Sequence, residues 1–543
     1  MLRPFLRTVG SIASALLLFA PAAAWAADID ATPATYQGIV PTLQAGDTLH
    51  LAAGTYPDLL SISGLNGTAS AWIVITGPDS GDPAVFTADP GPCCNTVEIT
   101  NSSYVAIRNL TIDGQGVDGA FGVSAKGGTS NLVHDIAIEG CTFLHHDASQ
   151  QTVAISTKTP TWGWVIRRNR IIAAGTGLYL GNSDGTCPFI GGLIEYNLVQ
   201  DTVGYNMEIK WQQPRPTVAG MPTSPTSTII RHNVFIKSDR PSPDGDRPNV
   251  LVGGFPSSGP GSEDRYELYG NLFDHNPRES LFQASGRVSV HDNVFVDTTG
   301  SAIRLQDHDL PLRQAYVYNN TIYAASTGIY AGGTADQGIS LIGNLVFAGS
   351  PISGSPTVQL DNMVDTVANA ASYVAAPSTV LGQMDFYPLV GACQGTPLDL
   401  SAFSADTDHA VDFNGTSKGA FAFRGAYAGE GTNPGWPLSD DIQGTASAGS
   451  GGAAGSGGAG GSPAAGGSSG SAPDAAAGGS AGSDSGAGAA PATPASYSPG
   501  EASGCACRTS PGSRTSAGWY LTALVGLALA RRRSRRCLSS STQ

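Results

Sequence analysis

Only five lysines occur in this chain of 543 residues, and three of them, Lys126, Lys158 and Lys210, close short phrases that align: "VSAK", "AIST" leading to Lys158, and "MEIK". With Val123, Ile155, Leu178, Met207, Val250, Leu281, Ile303 and Ile329 turned inward, period-two alternation places the residues one and three positions later on the outside. One outer column then reads Lys126, Lys158, Gly181, Lys210. Its neighbour reads Ser124, Ser156, Tyr179, Glu208, Leu251, Phe282, Arg304, Tyr330. A row of ammonium groups on an otherwise acidic protein makes a local field suited to an anionic polymer. Tyr179 and Trp211 add ring faces on which sugars could stack. The plainer reading is that lysines and aromatic rings are simply tolerated on a solvated strand surface.

The elements that would position these groups repeat along the chain. An Asn, or Cys141 in its place, precedes a hydrophobic pair at Asn109, Cys141, Asn169, Asn197, Asn233, Asn271, Asn293, Asn320 and Asn344. Self-similarity at a spacing of about 22 to 38 residues marks a solenoid. Each unit carries alternating or β-branched runs such as "VIRRNRII", "YELYGNLF" and "VSVHDNVF", broken by Gly, Asp, Ser and Pro, with no helical period. Three short strands and their turns need about 22 residues, so longer spacings hold inserted loops. The recurring Asn is expected to bond the amide of the next coil and to tolerate a left-handed bend. The expected fold is all-β, a right-handed single-stranded parallel β-helix.

These phrases, together with "LQAGDTLHLAAGTY" from Leu43 and "LNGTASAWIVITG" from Leu65, resemble the pectate-lyase-like superfamily of right-handed parallel β-helices. The opening is similar to that of chondroitinase-B and alginate-lyase-like members, and the likeness spans roughly residues 37 to 436. It implies a lyase that removes the proton next to a uronate carboxylate, with that charge neutralised by Ca²⁺ or basic groups. "EIK" at Glu208, Ile209 and Lys210 is similar to the strand that carries both metal ligand and base in the chondroitinase-B-like group. The carry-over makes Lys210 the base and Glu208 a catalytic partner and Ca²⁺ ligand, with Asn206 a second ligand after a backbone adjustment. Lys126, Lys158, Tyr179, Trp211 and Arg304 would bind substrate. The Arg that the group carries on the following coil is missing, because Leu251 and Gly253 stand there. Arg304 is three coils on, about 14 Å away at a coil rise near 4.8 Å. Loops over about 212–228 and 239–263 are expected to wall a cleft beside the stripe. "DFYPLVG", "DFNGT" and "RGAYAGEGTNPGW" resemble a closing strand and cap over the last coil.

A formal charge of −15 argues against a nucleic-acid partner and leaves an acidic polysaccharide as the expected one. Residues 1–26 read as a secretory signal: Arg3 and Arg7, an apolar run too short to span a bilayer, and Ala24-Trp25-Ala26. The β-helix domain takes 27–440. Residues 441–500 form a Gly/Ala/Ser-rich, disordered linker. Residues 501–543 carry Cys505 and Cys507, a short apolar helix from about Trp519 to Ala530, and an Arg cluster from Arg531 to Arg536. That order resembles the MYXO-CTERM sorting tail, which implies export and display at the outer membrane or cell surface; a permanent membrane helix is the alternative. The odd number of body cysteines, Cys93, Cys94, Cys141, Cys187 and Cys393, leaves at least one unpaired within that set. His145 and His146 point to opposite faces of a strand and suit a turn better than a metal. No "NTD" or "DD" strand motif of a polygalacturonase-like hydrolase occurs in the coils. Two functions stay open: a monomeric, surface-displayed lyase of a uronic-acid polymer, and a non-catalytic adhesin that holds an acidic glycan on the same stripe.

Overall fold

The computed structural model describes residues 26–89 and 95–444, all within one compact unit, Met1–Pro494; a second unit, Ala495–Gln543, lies outside them. The expected signal, linker, sorting tail and apolar tail helix, and Cys93, Cys94, Cys505, Cys507 and Cys537, likewise lie outside the described residues. Among the described residues no helix is long and apolar enough to cross a membrane.

Successive coils contribute strands to three faces, the last coil to two of them, and every pairing between successive coils is parallel. The first face runs from Asp28–Ala31 through Val133–Glu139 and Ser227–Arg231 to Val358–Leu360. The second passes through Thr142–His146, Leu198–Thr202, Leu272–Asp274 and Val294–Asp297. The third passes through Phe121–Ala125, Val153–Thr157, Thr176–Leu180, Met207–Ile209, Val250–Val252, Phe282–Ala284 and Ile303–Leu305. The second and third faces merge in the long strands Thr321–Ala331 and Leu345–Gly354. This is the parallel β-helix, with the right-handed sense general to parallel crossover connections.

Alternation fills the tube. Val123, Ile155, Leu178, Met207, Val250, Phe282, Ile303 and Ile329 stack inward on the third face, all fully buried. Phe235, Phe273 and Phe295 stack inward on the second, with ring centroids 5.2 and 4.5 Å apart. Burying each such side chain contributes roughly 1.5–3 kcal/mol. At one position the structure departs from the expected register: Val250 pairs with Phe282, so Phe282 points inward and Gln283 takes the outer place. Leu281 and Phe282 are both fully buried, so the local pattern offered two equivalent alignments after a long loop.

The Asn ladder runs from Cys141 through Asn169, Asn197, Asn233, Asn271, Asn293, Asn320 and Asn344. It ends on Asn362, only 18 residues further on. From Asn197 on, each side-chain oxygen accepts both the backbone N–H and the Nδ2 of the preceding Asn; at Asn271 these bonds from Asn233 are 2.9 and 3.0 Å. Asn109 is outside the ladder, because Thr142 pairs with Thr111 and so sets Cys141 against Leu110. The left-handed bend belongs to the residue before each ladder position, as at Arg168 (φ 56), Tyr196 (φ 54), His232 (φ 53) and Asp292 (φ 52). On the outside, Tyr196, His232, Tyr269, His291, Tyr318 and Phe403 make a continuous aromatic stack, which fixes His232 and His291 as structural. His145 pairs with Asp113, while His146 is buried against the carbonyls of Ala120 and Ile112, in keeping with opposite faces.

The helix Tyr36–Ile39 and the turn Val40–Thr42 close the N-terminal end, with Tyr36 packed on Tyr56 and Phe86. The C-terminal segment does not cap the other end as expected. Phe386, Phe413 and Tyr427 instead pack on Leu198, Val234, Leu272, Val294 and Leu345, the outward residues of the second face. Lys418 pairs with buried Asp292 at 2.5 Å, and Asp441 with Arg170. The segment therefore runs back along the flank, and the last strand of the first face, Val358–Leu360, is exposed. Cys141, Cys187 and Cys393 are free, buried thiols.

Asn271→Ala removes an acceptor for two donors and strands the carbonyls of Ile230 and Tyr269. Unfolding in urea is expected to show a loss of about 2–4 kcal/mol, against less than about 1 kcal/mol for the same change at Asn109, outside the ladder.

Candidate functional site

The lysine column is real at the level of the backbone. Lys126 N–H bonds Ile99 O, Lys158 N–H bonds Ala125 O at 2.7 Å, Lys210 N–H bonds Leu180 O at 2.8 Å, and Gly253 N–H bonds Ile209 O at 2.8 Å. The column is not a uniform positive stripe, because Lys126 Nζ lies 2.6 Å from Glu98 and Lys210 Nζ 2.8 Å from Glu208. The Lys210–Glu208 pair is deep, with side chains only 13% and 4% exposed. Lys158 differs: among the described residues its Nζ has no carboxylate partner and lies 5.3 Å from the Phe121 ring centre and 5.6 Å from that of Tyr179. Burial pushes the Lys158 ammonium down from the usual lysine range.

Tyr179 is the hub. It pairs with Ser156 on one side and Glu208 on the other, and Lys210 Nζ stands 5.8 Å from its ring centre. Its ring therefore has a lysine of the preceding coil and one of the following coil above it. Between those lysines the column holds Gly181, at φ +94, whose missing side chain leaves room for the Lys210 stem; a Cβ there would come within 3.2 Å of Lys210 Cβ. Burial first, then the Glu208 charge, pushes the Tyr179 phenol well up, so it stays a neutral donor. Tyr205 is held protonated for the same reasons, with the Arg247 guanidinium 5.8 Å from its ring.

Both expected loops are tied down by polar contacts of their own. Arg215 in the first bonds the carbonyls of Pro222 and Ser224 and pairs with buried Asp264. The second is tied down through Gln150 to Gly245 O at 2.8 Å and through Arg240 to Asp147. Trp211 packs its indole over Gly185 and donates to Ser183 O at 3.2 Å, so it anchors the 182–187 turn and one ring face is taken. Arg304 sits apart, three coils from Glu208, with its guanidinium over Tyr330 at 5.5 Å. Asn206 is fully buried and gives its Nδ2 to Val199 O, Thr202 Oγ1 and Ile236 O, while its Oδ1, the atom that would hold a metal, is buried without a partner among the described residues.

The donor set fits Ca²⁺ poorly. Glu208 is given to Lys210, its column neighbours are Tyr179 and Leu251, and among the described residues no three His, Cys, Asp or Glu side chains gather to hold a metal.

Phe121, Tyr205 and the loop 306–311 carry no signal in the sequence, whereas Arg247 belongs to the 239–263 loop expected beside the stripe. In the 306–311 loop Asp309 comes within electrostatic reach of Lys210, Tyr179 and Tyr205. Its carboxyl is held below the usual range, first by its bond with His308 and then by the charges of His308 and Lys210. No local signal announces this, because the loop belongs to a later coil and reaches the site only through the fold.

No protein-family model matches the chain, and no curated protein matches it. Among solved structures it is similar to pectate lyase Pel9A, at 11% identity over 77% of this chain and 96% of that one, TM-score 0.39. It is also similar to an alginate lyase from Paenibacillus sp. str. FPU-7, at 15% over 62% and 99%, TM-score 0.35. A third is the A-module of the mannuronan C-5 epimerase AlgE4 from Azotobacter vinelandii, at 14% over 62% and 89%, TM-score 0.37. Likeness at this level carries no argument about chemistry, which rests on the side chains above.

Lys158, dehydrated and unpaired by carboxylate, is expected to react with a small amine-directed acylating reagent at mildly alkaline pH several-fold faster than Lys126 or Lys210, read by peptide mass mapping. Equal labelling of the three would show that the difference between their surroundings has no chemical consequence.

Proposed function

We propose that this is an exported, surface-displayed protein that binds an acidic polysaccharide across the third face and cleaves it by β-elimination. The observation that supports this best is the placing of Lys158 and Lys210 over one Tyr179 ring, with Glu208 fixing Lys210. A uronate lying on Tyr179 meets an amine on each side. Lys210 gives one N–H to Glu208 and keeps two for the substrate carboxylate, whose charge must be neutralised before the adjacent C–H becomes acidic. Lys158, which lacks a carboxylate and whose ammonium is disfavoured by burial, is assigned as the base. It takes the C5 proton, the electron pair forms C4=C5, and the C4–O4 bond breaks with O4 leaving as it gains a proton. Tyr179 supplies the ring face and a neutral donor. Arg304 and Lys126 lie beyond this centre and would hold neighbouring sugars.

The test is a panel of alginate, pectate and glycosaminoglycans, with and without Ca²⁺, followed by ultraviolet absorbance of the unsaturated product. Lys158→Met is expected to lower kcat by about 10²–10⁴-fold with KM little changed, and Lys210→Met to raise KM as well. Loss of kcat in Lys210→Met with Lys158→Met active would assign the base to Lys210, as the "EIK" phrase suggests. A wild-type protein that binds one polymer and yields no product from any would make the chain an adhesin.

A further inference from the structure

Among the described residues every buried carboxylate but one is answered by a cation or by hydrogen-bond donors. Glu208 has Lys210, Asp264 has Arg215, Asp292 has Lys418, and Asp412 has backbone N–H groups. The same holds for the others. The exception is Asp274, whose residue is 6% exposed and whose carboxyl has neither donor nor cation among the described residues. Leaving a buried polar group unanswered costs stability, and a carboxylate more than most.

Asp274 ends strand Leu272–Asp274 on the second face, in register with Ile236 of the coil before and Val296 of the coil after. Those two are apolar and buried, so a carboxyl interrupts an otherwise apolar outward column. The three side chains line a cavity of about 210 Å³ together with Asp239, His275, Thr298 and Thr379. Thr379 belongs to the C-terminal segment, so the cavity lies between that segment and the flank of the solenoid. Asp239 is already paired with His275 Nε2 at 2.7 Å, and the Thr298 and Thr379 hydroxyls have no other partner among the described residues. Burial first, then the charge of Asp297, pushes the Asp274 carboxyl up to about 7. Asp239, His275 and Asp297 are the titratable groups about it.

This lining selects its ligand. An –NH3⁺ group carries three donors and no acceptor, and Asp274, Thr298 and Thr379 offer acceptors to it. A cation placed there answers the one unanswered carboxylate. A divalent metal is a poor fit, since among the described residues no three His, Cys, Asp or Glu side chains gather to hold one. A quaternary ammonium has no N–H and is held by aromatic cages, while the only ring in this lining is that of His275. The volume exceeds the roughly 150 Å³ that houses a benzene ring, so one sugar ring has room. The polar rim suits ring hydroxyls, where a lysine stem would bring only methylenes.

We propose that the cavity at Asp274 binds an amino sugar through its free ammonium group, as an ion pair with the Asp274 carboxylate. The site stands on a different face from the Lys158–Tyr179–Lys210 column and does not depend on the elimination reading.

Ligand-observed NMR on the full-length protein would titrate glucosamine, N-acetylglucosamine and Nα-acetyl-lysine methylamide. Glucosamine is expected to bind, with N-acetylglucosamine, the same ring without the charge, about tenfold or more weaker. Because Asp274 must ionise to pair, glucosamine should bind about tenfold or more weaker at pH 5.5 than at pH 7.5. Asp274→Asn should weaken it by about tenfold or more. Asp274→Val, which completes the apolar column, should abolish binding and raise the urea midpoint, so that loss of the site is distinguished from loss of the fold. Equal binding of glucosamine and N-acetylglucosamine, or wild-type affinity in Asp274→Asn, overturns the ion pair. Tighter binding of the lysine amide than of glucosamine overturns the sugar assignment, and a lower urea midpoint in Asp274→Val would make Asp274 a structural residue.

Discussion

Everything on the third face follows from the register between neighbouring coils. A parallel β-helix has no packing partner to decide which residues share a site; hydrogen-bonded neighbours about 4.8 Å apart do so. The buried Asn ladder, in which each amide oxygen from Asn197 on accepts two N–H groups of the preceding coil, removes the freedom to slip by one residue. A slip of one would turn Glu208 into the core and Ile209 to solvent. The juxtaposition of Lys158, Tyr179 and Lys210 is thus a consequence of asparagines on the other side of the tube.

The same stacking sets the electrostatic character of the site. Two of the three lysines in the column are answered by a carboxylate one column away, Glu98 or Glu208. An unanswered ammonium beside others would cost solvation and mutual repulsion. Lys158 avoids a carboxylate but is dehydrated, packed between Phe121 and Tyr179, and burial pushes its ammonium down from the usual lysine range. Gly254 on the coil after Lys210 serves the same face by omission, since its lack of Cβ lets Leu310 of the 306–311 loop approach.

The fold was legible because its signals are local and repeated: the ladder asparagines, the alternation, and Val123, Ile155, Leu178 and Met207 in one inward column. The ladder's end at Asn362 was missed because its coil is shorter than any other, and Asn109 was included because it sits one residue from the ladder in a similar phrase. Phe282 and Gln283 exchanged places since two adjacent apolar residues fit the inward position equally. The site was half legible. Lys158, Tyr179, Glu208 and Lys210 lie on regular strands, where register alone places them. Side-chain pairing did not follow from register, so the neutralisation of Lys126 by Glu98 was not foreseen. Loops such as 306–311 and the flank-packed C-terminal segment have no periodicity, and their destinations depend on shape complementarity that a linear pattern does not carry.

The most direct test is a crystal structure of the protein with a short uronate oligosaccharide. A sugar ring on Tyr179, with its carboxylate toward Lys210 and its C5 toward Lys158 Nζ, is the expected result. An oligosaccharide bound elsewhere on the solenoid, with the Tyr179 face bare, would contradict the assignment of this column as the working site.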